Sequence, residues 1–302
     1  MTLAARLLGG MRLLPAGFAL GAFLFGLLPA AAQTLPPFKD DLFAYPALLS
    51  SADEGGYRVV DYRKERDIYE RDSIPERRVE SRYVSLGVRS QEEDLLAKTP
   101  MGRIAHVAVG RRAGASIIVA YLHGQGGSRK QGVNDYTFGG NFNRIKNMAT
   151  AAGGLYLSPD FTSFDDRGAA EIAALLRIYG EASPAARFFI ACGSMGGHLC
   201  WRLARMPDIA ERLGGLLLIG SLWNDEFVTS AAFKRRVPLF IGQGSFDNVF
   251  PVEHLESFYR SILKKAPGYP VRMVRFETGS HGTPIRMTDW RETINWMQAV
   301  RN

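Results

Sequence analysis

Cysteine is almost absent: Cys192 and Cys200 are the only two in 302 residues. That is too few for a disulfide framework or a four-ligand zinc site. Histidine is scarce too, with five, and none has the spacing of a metal ligand set. No tract is rich in Lys and Arg. The 37 basic and 30 acidic residues are spread along the chain, so the formal charge of +7 describes a mildly basic surface, not a nucleic-acid arm. No nucleic-acid partner is expected. The 32 glycines follow no three-residue period, and no repeat of about 20–50 residues emerges, which excludes collagen-like and solenoid architectures. With 46% apolar, 11% aromatic and 22% charged residues, disorder is excluded as well. The length suffices for one large domain or two small ones.

One apolar run stands apart. Residues 1–12 carry Arg6 and Arg12 and no acid, Leu13 to Leu28 is apolar, and Ala30-Ala31-Ala32-Gln33 offers small residues for cleavage. This is the three-part pattern of a secretory signal peptide. A transmembrane anchor fits less well, because a bilayer of about 30 Å needs ~20 apolar residues and Pro15, Gly17, Gly21 and Gly26 interrupt this run. No cysteine near Ala32 awaits a lipid, and no Arg-Arg pair marks the twin-arginine route. The expectation is cleavage after Ala32 and a periplasmic or secreted protein with no stable membrane anchor.

Residues 33–80 read as a Pro-punctuated lead-in followed by edge strands, and residues 81–302 as the main domain. Asp61 to Arg82 holds seven basic and seven acidic residues around Ser73-Ile74-Pro75. Interleaved charges point to a solvated face, and the break in the middle to two edge strands joined by a turn. From residue 103 apolar runs of strand length recur: 103–109, 116–122, 154–158, 187–191, 215–220, 237–242 and 271–276. Helical candidates lie at 142–152, 167–180, 195–206, 252–266 and 286–300. In the second, Ala170, Ala173, Ala174 and Ile178 form a stripe at helical period. Apolar strands alternating with helices predict a parallel sheet covered on both faces, with its site at the carboxyl ends of the strands.

Four of those strand ends carry chemistry. Strand 187–191 runs into Cys192-Gly193-Ser194-Met195-Gly196-Gly197. A serine with small residues two before and two after it suits a strained strand-to-helix turn that exposes a nucleophile. Cys192 is the weaker nucleophile because Ile190, two residues before it, is too bulky for such a turn. Strand 116–122 ends in His123-Gly124-Gln125-Gly126-Gly127. A Gly-rich loop there can aim backbone N–H groups at an oxyanion, and Gln125 and Met195 are the expected donors. Asp247 follows strand 237–242, and His281 lies in Gly279-Ser280-His281-Gly282 after the last strand. The order Ser194, Asp247, His281 is that of Ser…Asp…His hydrolases.

On His123–Gly127, Cys192–Gly197, Asp247–Pro251 and His281-Gly282 the chain resembles the α/β-hydrolase fold, in its compact, secreted bacterial esterase-like form, over roughly residues 80–300. The resemblance implies a mostly parallel sheet of about eight strands and serine-dependent acyl transfer to water, without a cofactor. Cys192 departs from the usual Gly but remains small. Between strands 215–220 and 237–242 lie only 16 residues, so no large cap domain is expected.

Several alternatives stay open. Asp225 is a second choice of acid. Asp165 and Asp166 more naturally begin the helix at Arg167, and His123 braces its loop. Whether Cys192 and Cys200 pair is open, since eight residues across a turn need not bring their Cα atoms within the ~4.4–6.8 Å a bond requires. Arg129, Lys130, Asn134, Asn141 and Asn143 are read as a polar rim around the site. The expected activity is hydrolysis of carboxylic esters with short acyl groups or polar saccharide or peptide portions. The alternatives are a small serine peptidase or amidase, a lipase or phospholipase, and a non-catalytic binding protein on the same scaffold.

Overall fold

The computed structural model describes Thr2 and residues 34–301. The leader read at residues 1–32 therefore lies outside the described residues, Thr2 excepted. The strands are β1 (Leu48–Ala52), β2 (Tyr57–Val60), β3 (Asp72–Ile74), β4 (Arg78–Val79), β5 (Glu92–Thr99), β6 (Gly102–Gly110), β7 (Ile117–Leu122), β8 (Leu155–Pro159), β9 (Arg187–Ser194), β10 (Leu213–Ser221), β11 (Leu239–Gly244) and β12 (Val271–Phe276). The helices are α1 (Asp40–Phe43), α2 (Asn141–Ala151), α3 (Asp166–Ala182), α4 (Gly197–Arg205), α5 (Pro207–Arg212), α6 (Ala231–Lys234), α7 (Val252–Lys265), α8 (Thr283–Met287) and α9 (Trp290–Arg301).

Ten strands form one sheet in the order β1-β2-β12-β11-β10-β9-β7-β8-β6-β5. From β2 to β8 every neighbouring pair is parallel. Antiparallel β1 closes one edge, and β6 with β5 the other. Alternation along each central strand divides the core in two. Ile118, Ala120 and Leu122 of β7 face α3, α4 and α7 through Leu175, Leu199 and Leu255. Ile117, Val119 and Tyr121 face α2 and α9 through Phe142, Ile145 and Ile294. Both faces are covered, so these strands read as continuous apolar runs, and each buried large side chain contributes about 1.5–3 kcal/mol.

The outer strands differ from expectation in number and kind. β1 is exposed along its whole length, and in β5 exposed and half-buried residues are equal in number, so neither carries an apolar run. Residues 61–82 do not add edge strands to the main sheet. β3 and β4 pair only with each other, as a separate two-stranded hairpin. Nor is this stretch only a solvated face: Asp67, Arg71 and Asp72 are buried. Asp72 binds both terminal nitrogens of Arg286 at 2.9 and 2.6 Å, which pins the hairpin to α8. The helix read over 286–300 is two helices, α8 and α9. By contrast, Asp165 caps α3 as expected, accepting from the Arg167 N–H at 2.9 Å.

Among the described residues no helix is long and apolar enough to cross a membrane. Among them, too, no group of three His, Cys, Asp or Glu residues could hold a metal ion.

Candidate active site

Parallel pairing aligns the carboxyl ends of β9, β10, β11 and β12. Ser194 lies opposite Ser221, and Gly244 opposite Phe276. Ser194 closes β9 with φ +50°, the left-handed conformation that a serine seldom adopts outside a strained turn. Two contacts hold the turn. Ser221 Oγ donates to the Ser194 carbonyl at 2.6 Å, and Gly196 N–H donates to the Gly193 carbonyl at 2.9 Å. A Cβ on Gly196 would come within 2.5 Å of the Leu122 carbonyl oxygen, so α4 can start this close to β7 only with glycine there.

The loops after β11 and β12 bring the other two residues to Ser194. His281 Nε2 lies 3.0 Å from Ser194 Oγ, and Nδ1 lies 2.8 Å from Asp247 Oδ2. The Asp247 carboxylate is wholly buried, whereas the imidazole is 31% exposed. Oδ1 of Asp247 accepts from the backbone N–H groups of Val249 and Phe250 at 2.8 and 3.0 Å. Burial alone would raise the Asp247 pKa. The hydrogen bonds from His281, Phe250 and Val249 outweigh it and hold the carboxyl below its ordinary value. Asp247 therefore remains an anion beside Nδ1.

Gln243, a residue the sequence analysis passed over, completes this arrangement. It is buried in β11, and its Nε2 donates to Asp247 Oδ2 at 2.8 Å and to the Phe250 carbonyl at 2.7 Å. A polar residue at the end of an otherwise apolar strand was the available signal. Asp225, the second choice of acid, is exposed in the short helical turn 225–229 and does not touch His281.

The loop after β7 packs directly on the nucleophile. A Cβ on Gly124 would lie 2.6 Å from Ser194 Cβ, so the Gly124–Gly127 turn can approach only without a side chain at 124. Among the described residues neither the Gln125 N–H nor the Met195 N–H has an acceptor. His123 braces this loop: it is buried, its Nδ1 lies 2.8 Å from the Gly124 carbonyl oxygen, and its ring stacks on Phe161 at 4.3 Å.

The polar rim needs correction. Asn141 and Asn143 are buried and bind the protein itself. Asn141 donates to the carbonyls of Ile285 and Thr288, both at 2.9 Å. Asn143 donates to Asp135 at 2.7 Å and to the Ser85 carbonyl at 3.0 Å. Arg129 is engaged by Asp94 at 2.8 Å and Asp160 at 2.5 Å, and Lys130 by Asp94. Asn134 is exposed, but its Oδ1 accepts from the N–H groups of Tyr136 and Thr137 at 2.9 and 3.0 Å. Apolar side chains flank the acid instead. Phe246 and Val249 are 66% and 51% exposed, and the Phe250 ring lies 5.6 Å from that of His281.

Cys192 and Cys200 form a disulfide, with Cα atoms 6.3 Å apart. The pairing left open by their spacing is made, because α4 turns back along β9 immediately after Ser194.

No family model and no curated protein matches the chain. Solved structures do. An esterase from Pyrococcus furiosus aligns with a TM-score of 0.53 and 16% identity, over 69% of this chain and 92% of its own. A thermostable esterase aligns with a TM-score of 0.56 and 17% identity, over 70% of this chain and 63% of its own. At such identities the likeness establishes the fold: the chain has the α/β-hydrolase fold of these esterases.

Proposed function

We propose that the protein is a serine hydrolase that cleaves carboxylic esters through an acyl-enzyme. The observation that carries this reading is the unbroken chain from Ser194 Oγ through the His281 imidazole to Asp247, at 3.0 and 2.8 Å. In the first half-reaction Ser194 Oγ attacks the ester carbonyl carbon while His281 Nε2 takes its proton. Asp247 accepts from Nδ1–H, which sets the tautomer and stabilises the imidazolium. The oxyanion receives the unengaged N–H groups of Gln125 and Met195. His281 then returns the proton to the departing alkoxide. Water repeats the sequence on the acyl-enzyme, so the cycle uses only groups of this chain. Replacing Ser194 with Ala tests it: ester turnover falls at least ~10³-fold, while the protein remains folded by circular dichroism. Turnover that survives the substitution overturns the reading.

Two observations bear on the substrate. The connection from β10 to β11 holds only a helical turn and α6, so this connection supplies no cap with an apolar tunnel. Each buried methylene is worth about 0.8 kcal/mol, and an open site forgoes that gain, which supports acyl groups of about two to four carbons. Exposed Phe246 and Val249 favour a second reading, a lipase or phospholipase. With Asn141 and Asn143 buried, a polar substrate has lost part of its support. Rates on esters from acetyl to palmitoyl separate the two readings, since kcat/KM falls with length in the first and rises in the second. Cleavage after Ala32 and export are also part of this proposal. A buried disulfide fits an oxidising compartment, and intact mass of the protein recovered from the periplasm or medium tests it.

A further inference from the structure

A cleft of about 270 Å³ begins one residue to either side of His281, where Ser280 and Gly282 line it. Its far wall comes from segments with no part in the triad: Tyr62 and Ile68 from the stretch before the hairpin, and Phe138. Phe138 has φ +49° and is followed by Gly139 at +64° and Gly140 at +76°, three successive residues in the left-handed region. Glycine takes that conformation freely, but a bulky aromatic residue holds it only where its surroundings fix it. Here they do. The Gly140 N–H donates to the Thr137 carbonyl at 3.1 Å, the Phe138 ring packs edge-on to Phe142 at 5.7 Å, and a Cβ on Gly282 would lie 3.5 Å from the Phe138 ring. The strained backbone thus presents an aromatic ring to the residue that follows His281.

The charges in the cleft are already matched. Arg286 is paired with the Asp72 carboxylate and donates to the Asp67 carbonyl at 3.1 Å. Glu76, exposed, lies 3.4 Å from Lys64. No unpaired charge among the lining residues asks for an ion, and the apolar surface of Tyr62, Ile68 and Phe138 shares the walls about equally with polar surface that includes the hydroxyls of Tyr62, Ser280 and Thr283.

Resting on the serine-hydrolase reading, we propose that this cleft is a substrate subsite for an uncharged group of the ester, whose apolar part packs against Phe138 and Ile68, and that Phe138 sets the length it accepts. The volume is small for a ligand site, which spans about 300–1,000 Å³, so the group is short. It belongs to either the acyl or the alcohol half of the ester, and two substrate series separate them.

The test uses the mature enzyme and its Phe138→Ala and Phe138→Trp variants. Each is assayed on 4-nitrophenyl esters from acetyl to decanoyl, and on acetates of alkanols from methanol to octanol. The readout is the ratio of kcat/KM between long and short members within one variant, which loss of folded enzyme does not change. Phe138→Ala is expected to raise the long-to-short ratio about tenfold in one series, and Phe138→Trp to lower it in the same series. A shift in the acyl series makes the cleft the acyl subsite, and a shift in the alcohol series makes it the leaving-group subsite. Ratios unchanged in both series, for both variants, overturn the subsite. If the unmodified enzyme turns over no ester, the hydrolase reading itself has failed, a result distinct from unchanged ratios.

Discussion

The strands β7 to β12 and the segment from residue 34 to residue 91 are held to one molecule by different physics. In the former, side chains such as Val119, Ile190, Leu216 and Ile241 are buried on both faces of the sheet, and apolar area does the holding. In the latter, apolar anchors such as Leu35, Val60 and Val88 are joined by ion pairs that are buried or partly buried. Asp40 bridges Arg144 at 3.0 Å and Arg291 at 3.1 Å. Asp72 grips Arg286, and Arg71 lies 4.7 Å over the Tyr83 ring and 5.5 Å over that of Phe43. Apolar burial is forgiving about partners, whereas a buried ion pair fails when one member is lost. The triad sits on the first region, and the proposed subsite joins it to the second.

The largest expected effect concerns the acid on the sheet side. Asp247→Asn should lower kcat by roughly 10²–10⁴-fold, because the amide no longer fixes the His281 tautomer, whereas Asp225→Asn should change it less than about twofold. Steady-state kinetics of the two variants decide between the two acids, and the reverse order would make Asp225 the acid.

Next comes the buried pair of the second region. Asp72→Ala leaves Arg286 without a carboxylate and should cost about 3–5 kcal/mol in urea unfolding. The double replacement Asp72→Leu with Arg286→Met should recover most of that loss. Leu216→Ala in β10 should cost a similar ~2–5 kcal/mol, yet it leaves no stranded partner whose removal could restore it. Equal losses for the single and double replacements at 72 and 286 would erase the contrast.

A smaller effect is expected from the disulfide. Removing it by Cys192→Ala with Cys200→Ala should cost about 2–3 kcal/mol, because the closed loop is short. Thermal unfolding of the variant measures it.

The smallest effect is the response to acid. Burial works to raise the Asp135 pKa, but hydrogen bonds from Lys146, Asn143 and Arg89 together hold it below the ordinary 3.8. A depressed carboxyl contributes stability that is complete above its unfolded pKa and is lost as pH falls through the folded one. The urea midpoint should therefore drop on acidification from about pH 5 to about pH 2. Asp135→Asn should flatten that drop, and an unchanged slope would remove Asp135 from the account.

The same division explains what was legible in the sequence. The parallel strands announce themselves because burial on two faces demands unbroken apolar runs, and Ser194, Asp247 and His281 each follow such a run. β1 is exposed and β5 is at most half-buried, so neither carries an unbroken apolar run. Asn141 and Asn143 looked like a rim because polarity does not reveal whether an amide binds substrate or a backbone carbonyl. Two strands joined by a turn were legible at 72–79, but their docking place was not: the hairpin's one aspartate, Asp72, is matched by Arg286, more than two hundred residues away. The disulfide depended on a Cα separation that spacing alone does not determine.

The central claim is that Ser194, held at φ +50° beside His281, is the nucleophile. Treating the folded protein with a fluorophosphonate and locating the adduct by peptide mass spectrometry tests it most directly. The account predicts a single adduct on Ser194, lost in Ser194→Ala and greatly slowed in His281→Ala. An adduct at another residue, or labelling that persists in Ser194→Ala, would contradict it.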